Sequence, residues 1–332
     1  MMKFAKILLI TILLSNTAAR AAESTGKQEN KTDLVPRVTG MVNLRYVYDE
    51  QNKNHHGFEV RRIRLGAMGN LHKNVDYKMQ AEYIDHVRLL DAYVRWKIMP
   101  ELNVQAGQFK VQYSMEGLDG PANWLTVELP VAVNKLNGYS DLSGLGCNGR
   151  DIGLMLYGGL IHKELFDVLT YRVGVFNGNG NNLKDDNRKK DFAGMLWVSP
   201  VRQMSLTGSY YYGTYGPRGD SHTHNRASAG VQWKDRKLHI RSEYLWGNTR
   251  GMHSHGAYAQ VAYTIHRIIQ PSIGYDYFRQ DERDEAHRHT LQIGVNVSPI
   301  DHLRLQAGYV HAFSNTGRKH NNLAEMQCVV SF

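Results

Sequence analysis

From Arg37 to the last residue, apolar and polar side chains alternate with a period of two. Val38, Gly40, Val42, Leu44, Tyr46 and Tyr48 interleave with Arg37, Thr39, Asn43 and Arg45. The same alternation sets Ile63, Leu65 and Ala67 against Arg62 and Arg64, and Tyr77, Met79 and Ala81 against Asp76, Lys78 and Glu82. It continues with Leu90, Ala92, Val94 and Trp96 against Asp91, Tyr93, Arg95 and Lys97. Such a period sends successive side chains to opposite faces of an extended strand. The pattern predicts strands over 37–49, 58–72, 74–84, 88–98, 101–109, 151–160, 166–177 and 188–199. It predicts eight more over 202–213, 225–234, 237–247, 255–266, 269–279, 286–298, 302–313 and 322–332. The segment 188–199 alternates least. These segments run nearer ten residues than the five or six usual in soluble sheets, and about ten tilted residues cross a bilayer.

The connections alternate in length. DEQNKNHHG, NGNGNNLKDDN, TYGPRGDSHTH, GNTRGMHSH, RQDERDE and SNTGRKHN are separated by tight turns such as Lys234-Asp235-Arg236 and Pro299-Ile300-Asp301. Long loops at one end and short turns at the other are the asymmetry of an outer-membrane β-barrel, and an even strand count puts both chain ends at the turn side. One connection stands apart. The stretch from Lys110 to Arg150 is several times longer than any other, and a long loop in a compact fold is usually functional. It is expected to fold back into the barrel, with Trp124, Leu125, Val127, Leu129 and Val131 against the wall. The last strand carries Ala324, Met326, Cys328 and Val330 on one face and ends in Phe332, the form of an assembly signal for outer-membrane proteins.

Composition narrows the class. The chain has 332 residues, 31 glycines, 19 tyrosines, 8 prolines and 2 cysteines, which excludes collagen-like, disulfide-framed and cysteine-rich zinc proteins. Mean hydropathy of -0.47 and no long apolar run beyond the first residues exclude a helical membrane protein. Lys3 and Lys6 precede the apolar run Ile7–Leu14, and small residues end at Ala19-Arg20-Ala21. This is the form of a cleaved export signal over 1–21, followed by a polar lead-in over 22–36 and a barrel over 37–332. Loss of Lys3, Lys6 and Arg20 lowers the formal net charge from +9 to +6. An exported basic chain without a finger or helix-turn-helix pattern is not a nucleic-acid binder.

Charge decides which face is wet. A Lys or Arg facing lipid at mid-bilayer costs roughly 2–4 kcal/mol, so each charged face turns inward. The resulting candidate anion path is Arg45, Arg62, Arg64, Lys78, Arg95, Lys97 and Arg172, with Lys110, Lys135 and Arg150 as charges of the constricting loop. Arg37, Arg226, Arg241 and Arg304 share the inward face with fewer acids: Asp76, Glu82, Asp91, Asp151, Glu243, Asp276 and Glu325. Arginine suits phosphate because its planar fork meets two oxygens at once. The acids Glu116, Asp119, Glu128 and Asp141 in the long loop keep open the alternative of a general or saccharide-type diffusion porin.

Other constellations carry less. His55-His56, His222, His224, His253, His255, His287 and His289 fall in segments assigned to outer loops and read as solvated imidazoles, with metal binding or a pH response as the alternative. Cys147 in the long loop and Cys328 on the lipid face have opposite settings, which argues against a disulfide. Arg218-Gly219-Asp220 reads as a turn, and no calcium-loop spacing occurs. No G-x-S-x-G is present and no nucleophile–base pairing stands out, so an outer-membrane barrel enzyme is the weaker alternative; no catalytic residue, cofactor or metal is expected.

Phe58-Glu59-Val60-Arg61-Arg62-Ile63-Arg64-Leu65, Leu90-Asp91-Ala92-Tyr93-Val94 and Gly107-Gln108-Phe109-Lys110 followed by Ser114 and Glu116 resemble the phosphate-selective porin O and P family. Gly149-Arg150-Asp151-Ile152-Gly153 and Phe176-Asn177-Gly178-Asn179-Gly180 are similar to its later motifs, while Gln112 stands where the family often has proline. The resemblance implies a sixteen-stranded antiparallel transmembrane barrel, commonly a homotrimer, with the third loop folded into the lumen. It also implies a path for small anions such as phosphate, outer-membrane lipid around the barrel, and contact of Phe332 with the assembly machinery.

Overall fold

The structure is a computed structural model that describes residues 34–50, 56–316 and 320–332. The export signal read over 1–21 and most of the lead-in lie outside the described residues. Sixteen long strands follow one another: β1 (Arg37–Asp49), β2 (His56–His72), β3 (Val75–Glu82), β4 (Arg88–Met99), β5 (Leu102–Lys110), β6 (Arg150–Lys163), β7 (Phe166–Phe176) and β8 (Asp191–Val198). The rest are β9 (Met204–Tyr212), β10 (His222–Lys234), β11 (Leu238–Thr249), β12 (Met252–Tyr263), β13 (Ile269–Arg279), β14 (Arg288–Ile300), β15 (Leu303–Ser314) and β16 (Asn321–Ser331). Each pairs antiparallel with its neighbours, and β1 closes on β16 from Met41 opposite Ser331 to Asp49 opposite Leu323. The result is a closed barrel in which each strand, among the described residues, is paired on both sides. Among the described residues no helix is long and apolar enough to cross a membrane.

The two faces differ as the alternation requires. Leu44, Val94, Trp96, Leu154, Ile293 and Met326 are exposed on the outside, while Asn43, Gln105, Gln260, Gln292, Asn296 and Gln327 are buried inside. A slip of one residue would invert every strand, so this contrast also fixes the register.

Register shifts break the strict period at several places, and two of them change which residues face inward near the long connection. Asn43 pairs with Arg62 but Leu44 pairs with Val60, which leaves Arg61 as an extra residue in β2. The bulge turns Arg61 and Arg62 to the same side, so three arginines of β2, with Arg64, face inward. In β4, Gln80 pairs with Asp91 and Ala81 with Leu89, and Leu90 is the extra residue. Leu90 is therefore fully buried, contrary to the lipid-facing position that simple alternation assigns it.

Strand ends also differ from the sequence reading. The segment predicted over 188–199 shortens to β8, because Asn187 to Lys189 turn around the carboxylate of Asp185 and the side chain of Asn187. The expected loop GNTRGMHSH closes instead as a two-residue turn at Arg250 and Gly251, both with positive φ (55° and 78°). Such a turn matches the twist of the flanking strands and favours glycine at its second position. The expected loop histidines are accordingly strand residues: His222 and His224 in β10, His253 and His255 in β12, His289 in β14, and His56 at the start of β2. Only His287 of the described set lies in a connection; His55 is outside the described residues.

At the closure Gly40 and Phe332 exchange backbone hydrogen bonds of 2.8 and 3.0 Å, and the Phe332 ring lies over the glycine. A Cβ on Gly40 would stand 2.3 Å from that ring. Gly40→Val is therefore expected to expel the terminal ring, costing roughly 1–3 kcal/mol as an overpacked site. The check is the temperature at which the folded band is lost in heat-modified gel mobility; an unshifted midpoint would contradict the contact.

Candidate functional site

Between β5 and β6 the chain forms α1 (Met115–Leu118), a 3₁₀ turn over Pro121–Asn123, and α2 (Val131–Leu136). This segment lies against the inward face of the far strands. Glu243 of β11 accepts hydrogen bonds from Ser114 Oγ (2.8 Å) and from the backbone N–H groups of Met115 (2.7 Å) and Glu116 (3.2 Å), and Tyr258 Oη donates to it at 2.6 Å. These N–H groups are the orphans of the α1 N-terminus, which a carboxylate satisfies with charge. Asp276 of β13 accepts from Val131 at the start of α2, 3.4 Å. Further along, Arg304 of β15 donates to the carbonyls of Ala122 and Trp124, Asn296 to Leu125 (3.0 Å), Gln260 to Thr126 Oγ1 (2.8 Å) and Gln327 to Val127 (3.1 Å). Trp124, Leu129, Ala132, Val133 and Leu136 pack with Leu245, Tyr258 and Phe278 of the wall as one apolar cluster.

Several predicted cations contact this segment. Arg45 bonds Glu59 (2.6 Å), Glu128 (3.0 Å) and Glu325 (3.1 Å), and Arg61 joins it on Glu128 at 2.6 Å. The Arg62 guanidinium lies 5.1 Å from the Trp124 ring centroid, a cation–π contact. Arg241 pairs with Glu116 and with Asp119 (2.7 Å), and Arg226 with Asp141 (3.0 Å). Burial raises the Asp141 carboxyl, but the His224 contact and the Arg226 charge overcome this and hold it below the usual range. Its contribution to docking is therefore full above the ordinary carboxylate pKa and is lost only as pH falls through its own. Burial pushes Glu116 the other way despite Arg241.

Six predicted cations come together elsewhere. Arg64, Lys78, Arg95, Lys110, Arg150 and Arg172 line one cavity of about 440 Å³ between the segment's 118–122 stretch and strands β2 to β7. Their pairing is lopsided. Asp91 serves both Lys78 (2.8 Å) and Arg150 (2.7 Å), and Asp76 serves both Arg95 (2.6 Å) and Lys97 (2.8 Å). Arg64 has its own partner in Glu82 at 3.1 Å. Lys110 donates to the carbonyls of Gly117 (2.7 Å) and Asp119 (2.6 Å), and Arg172 to Gln112 Oε1 (2.9 Å), all neutral acceptors. This wall therefore keeps an excess of positive charge, whereas behind the docked segment Arg226 and Arg241 each meet an acid. A second cavity of about 530 Å³ contains Arg172, Arg241, Arg304 and Lys234 and adjoins the first at Arg172 and Leu118. Lys135 stands apart with Arg288 in a cavity of about 350 Å³ beside the outer ends of β13 to β15. Lys97 lines none of these cavities and is half exposed.

Sequence reasoning missed Arg61, whose signal was the Arg61-Arg62 pair: adjacent arginines cannot both face inward without a bulge. Gln112, singled out from the sequence only as a departure from a motif, accepts a hydrogen bond from Arg172. Cys147 and Cys328 are both free, and among the described residues no group of three or more His, Cys, Asp or Glu side chains is arranged to hold a metal ion.

The chain is similar in shape to several solved structures. They include an anion-selective porin from Comamonas acidovorans (TM-score 0.68, 8% identity, 90% of this chain and 99% of that one). Another is OmpF of Salmonella typhi in complex with daunomycin (TM-score 0.67, 11% identity, 90% of this chain and 97% of that one). A third is the trimer form of the outer-membrane protein OmpT of Vibrio cholerae (TM-score 0.63, 9% identity, 90% and 99%). At these identities the likeness is one of fold. An uncharacterized protein of Caulobacter vibrioides is 28% identical over 128 residues, 38% of this chain; the match spans about a quarter (26%) of that relative's length. The family profile described as phosphate-selective porin O and P matches residues 37–236. With its closed sixteen-stranded barrel and apolar outer belt, this chain is a bacterial outer-membrane β-barrel and belongs to the phosphate-selective porin O and P family.

Proposed function

We propose that this porin passes small anions, phosphate among them, by diffusion along the wall formed by β2 to β7. The observation that carries this is the two-to-one pairing of cations on Asp91 and Asp76, with Lys110 and Arg172 on neutral acceptors. Loose attraction by several cations concentrates an anion without trapping it, which conduction requires. Arg64, Lys78, Arg95, Lys110, Arg150 and Arg172 are the residues an ion would meet; Arg45 and Arg62 would act by holding the constricting segment, and Lys97 and Lys135 at the approaches. The protein is then a channel and not an enzyme, exported by removal of 1–21, assembled through Phe332 and working as a homotrimer in outer-membrane lipid.

The many matched ion pairs behind the segment favour a second reading, a general diffusion porin with slight charge preference. Reversal potential across a planar bilayer in a potassium chloride gradient separates the two. The anion reading expects a potential on the chloride side that collapses in molar salt, where screening shortens to about 3 Å, and a lowered chloride current when phosphate is added. A potential at zero or on the potassium side would overturn it.

A further inference from the structure

The cationic wall has an apolar floor. Phe109 and Phe176 are almost wholly buried and meet edge to face at 5.5 Å, with Met155, Ala193 and Tyr211 in the same cluster. Tyr93 and Tyr157 form its rim: both are half-buried, both line the cavity of about 440 Å³, and Tyr93 meets Phe109 edge to face at 6.1 Å. The docked segment covers the apolar side chains of the far wall but leaves these two rings at the passage. The Arg95 guanidinium stands 5.6 Å from the Tyr93 ring centroid, and Arg172 lines the same cavity with no carboxylate partner among the described residues. Inorganic phosphate gains nothing from an apolar floor. A flat ring carrying a carboxylate gains twice, since ring burial removes apolar surface from water and the Arg172 guanidinium can donate to carboxylate oxygens.

We propose that the passage prefers ring-bearing organic anions, aromatic carboxylates being the simplest, over non-ring anions of equal charge. This rests on the anion reading above and adds the recognition of the ring. The cavity volume lies within the range of sites that hold small organic ligands.

The test uses the full mature chain in planar bilayers, with chloride current measured as potassium benzoate or potassium acetate is added. Benzoate is expected to reduce the current at concentrations roughly tenfold below acetate, the effect of one ring-sized apolar contact. Tyr157→Leu should erase most of that difference, while Tyr157→Phe, which keeps the ring, should retain it. Equal action of benzoate and acetate, or an undiminished difference in a conducting Tyr157→Leu channel, would overturn the proposal. So would equal block by a neutral sugar, which would show ring recognition without charge. A potassium-side reversal potential would instead defeat the anion reading itself, so the two failures are distinguishable.

Discussion

Replacing Arg64 and Arg150 together by glutamine is expected to lower the anion-to-cation permeability ratio about tenfold at 0.1 M salt, by the following electrostatics. Each substitution uncovers a carboxylate: Glu82 loses its 3.1 Å partner, and Asp91 keeps only Lys78. The site thus loses one positive charge per residue. An ion passing about 6 Å away feels about 0.7 kcal/mol per charge at the permittivity of water. The anion loses and the cation gains this amount, twice over, and screening at 0.1 M removes roughly half of it. Reversal potential in a potassium chloride gradient is the measurement, and Arg64→Glu with Arg150→Glu should carry it further. Arg226→Gln is the contrasting variant, because Arg226 is matched to Asp141 behind the segment. If it shifts selectivity as much as the Arg64 and Arg150 pair, the lopsided wall is not the selective element.

The barrel was legible because its solvent is. Lipid outside and water inside impose alternation on every strand, so faces, strand number and closure follow from the order of Val38 to Tyr48 and its repeats. Strand ends were less legible, since Arg250-Gly251 makes a tight turn from residues that also suit a loop. Bulges were hidden for a related reason: Arg61 and Leu90 each follow from pairing with a neighbouring strand, not from their own segment. The sign of the lumen charges was readable, but their cancellation was not. Whether Arg45 faces a passing ion or a carboxylate depends on Glu59, Glu128 and Glu325, which come from β2, the long connection and β16. Six of the ten cations singled out from sequence share one cavity; Arg45 and Arg62 contact the long connection, and Lys97 and Lys135 do not line that cavity. Tyr93 passed as an ordinary inward residue and Tyr157 was not singled out, because nothing local marks which wall the segment leaves bare.

Glu243→Gln is expected to loosen the constricting segment and raise single-channel conductance, with noisier open states. The side chain is almost fully buried and is the common acceptor for Ser114, Met115, Glu116 and Tyr258. Glutamine preserves the volume but turns one acceptor oxygen into a donor facing donors. Hydrogen bonds to a charged group are worth about 1.5–3 kcal/mol each, so losing even two of the four costs about 3–6 kcal/mol of docking free energy. What remains on α1 is the Arg241 pairing with Glu116 and neutral contacts worth roughly 1 kcal/mol each, so the segment is weakened rather than freed. The barrel itself does not depend on this residue, because its ladders close through backbone bonds between β11 and its neighbours. Heat-modified gel mobility should therefore move far less than conductance, and trypsin should gain access to Lys135 in α2. A folded Glu243→Gln channel with unchanged conductance and an uncut loop would mean that Arg304 and the Trp124 cluster dock the segment without the Glu243 cap.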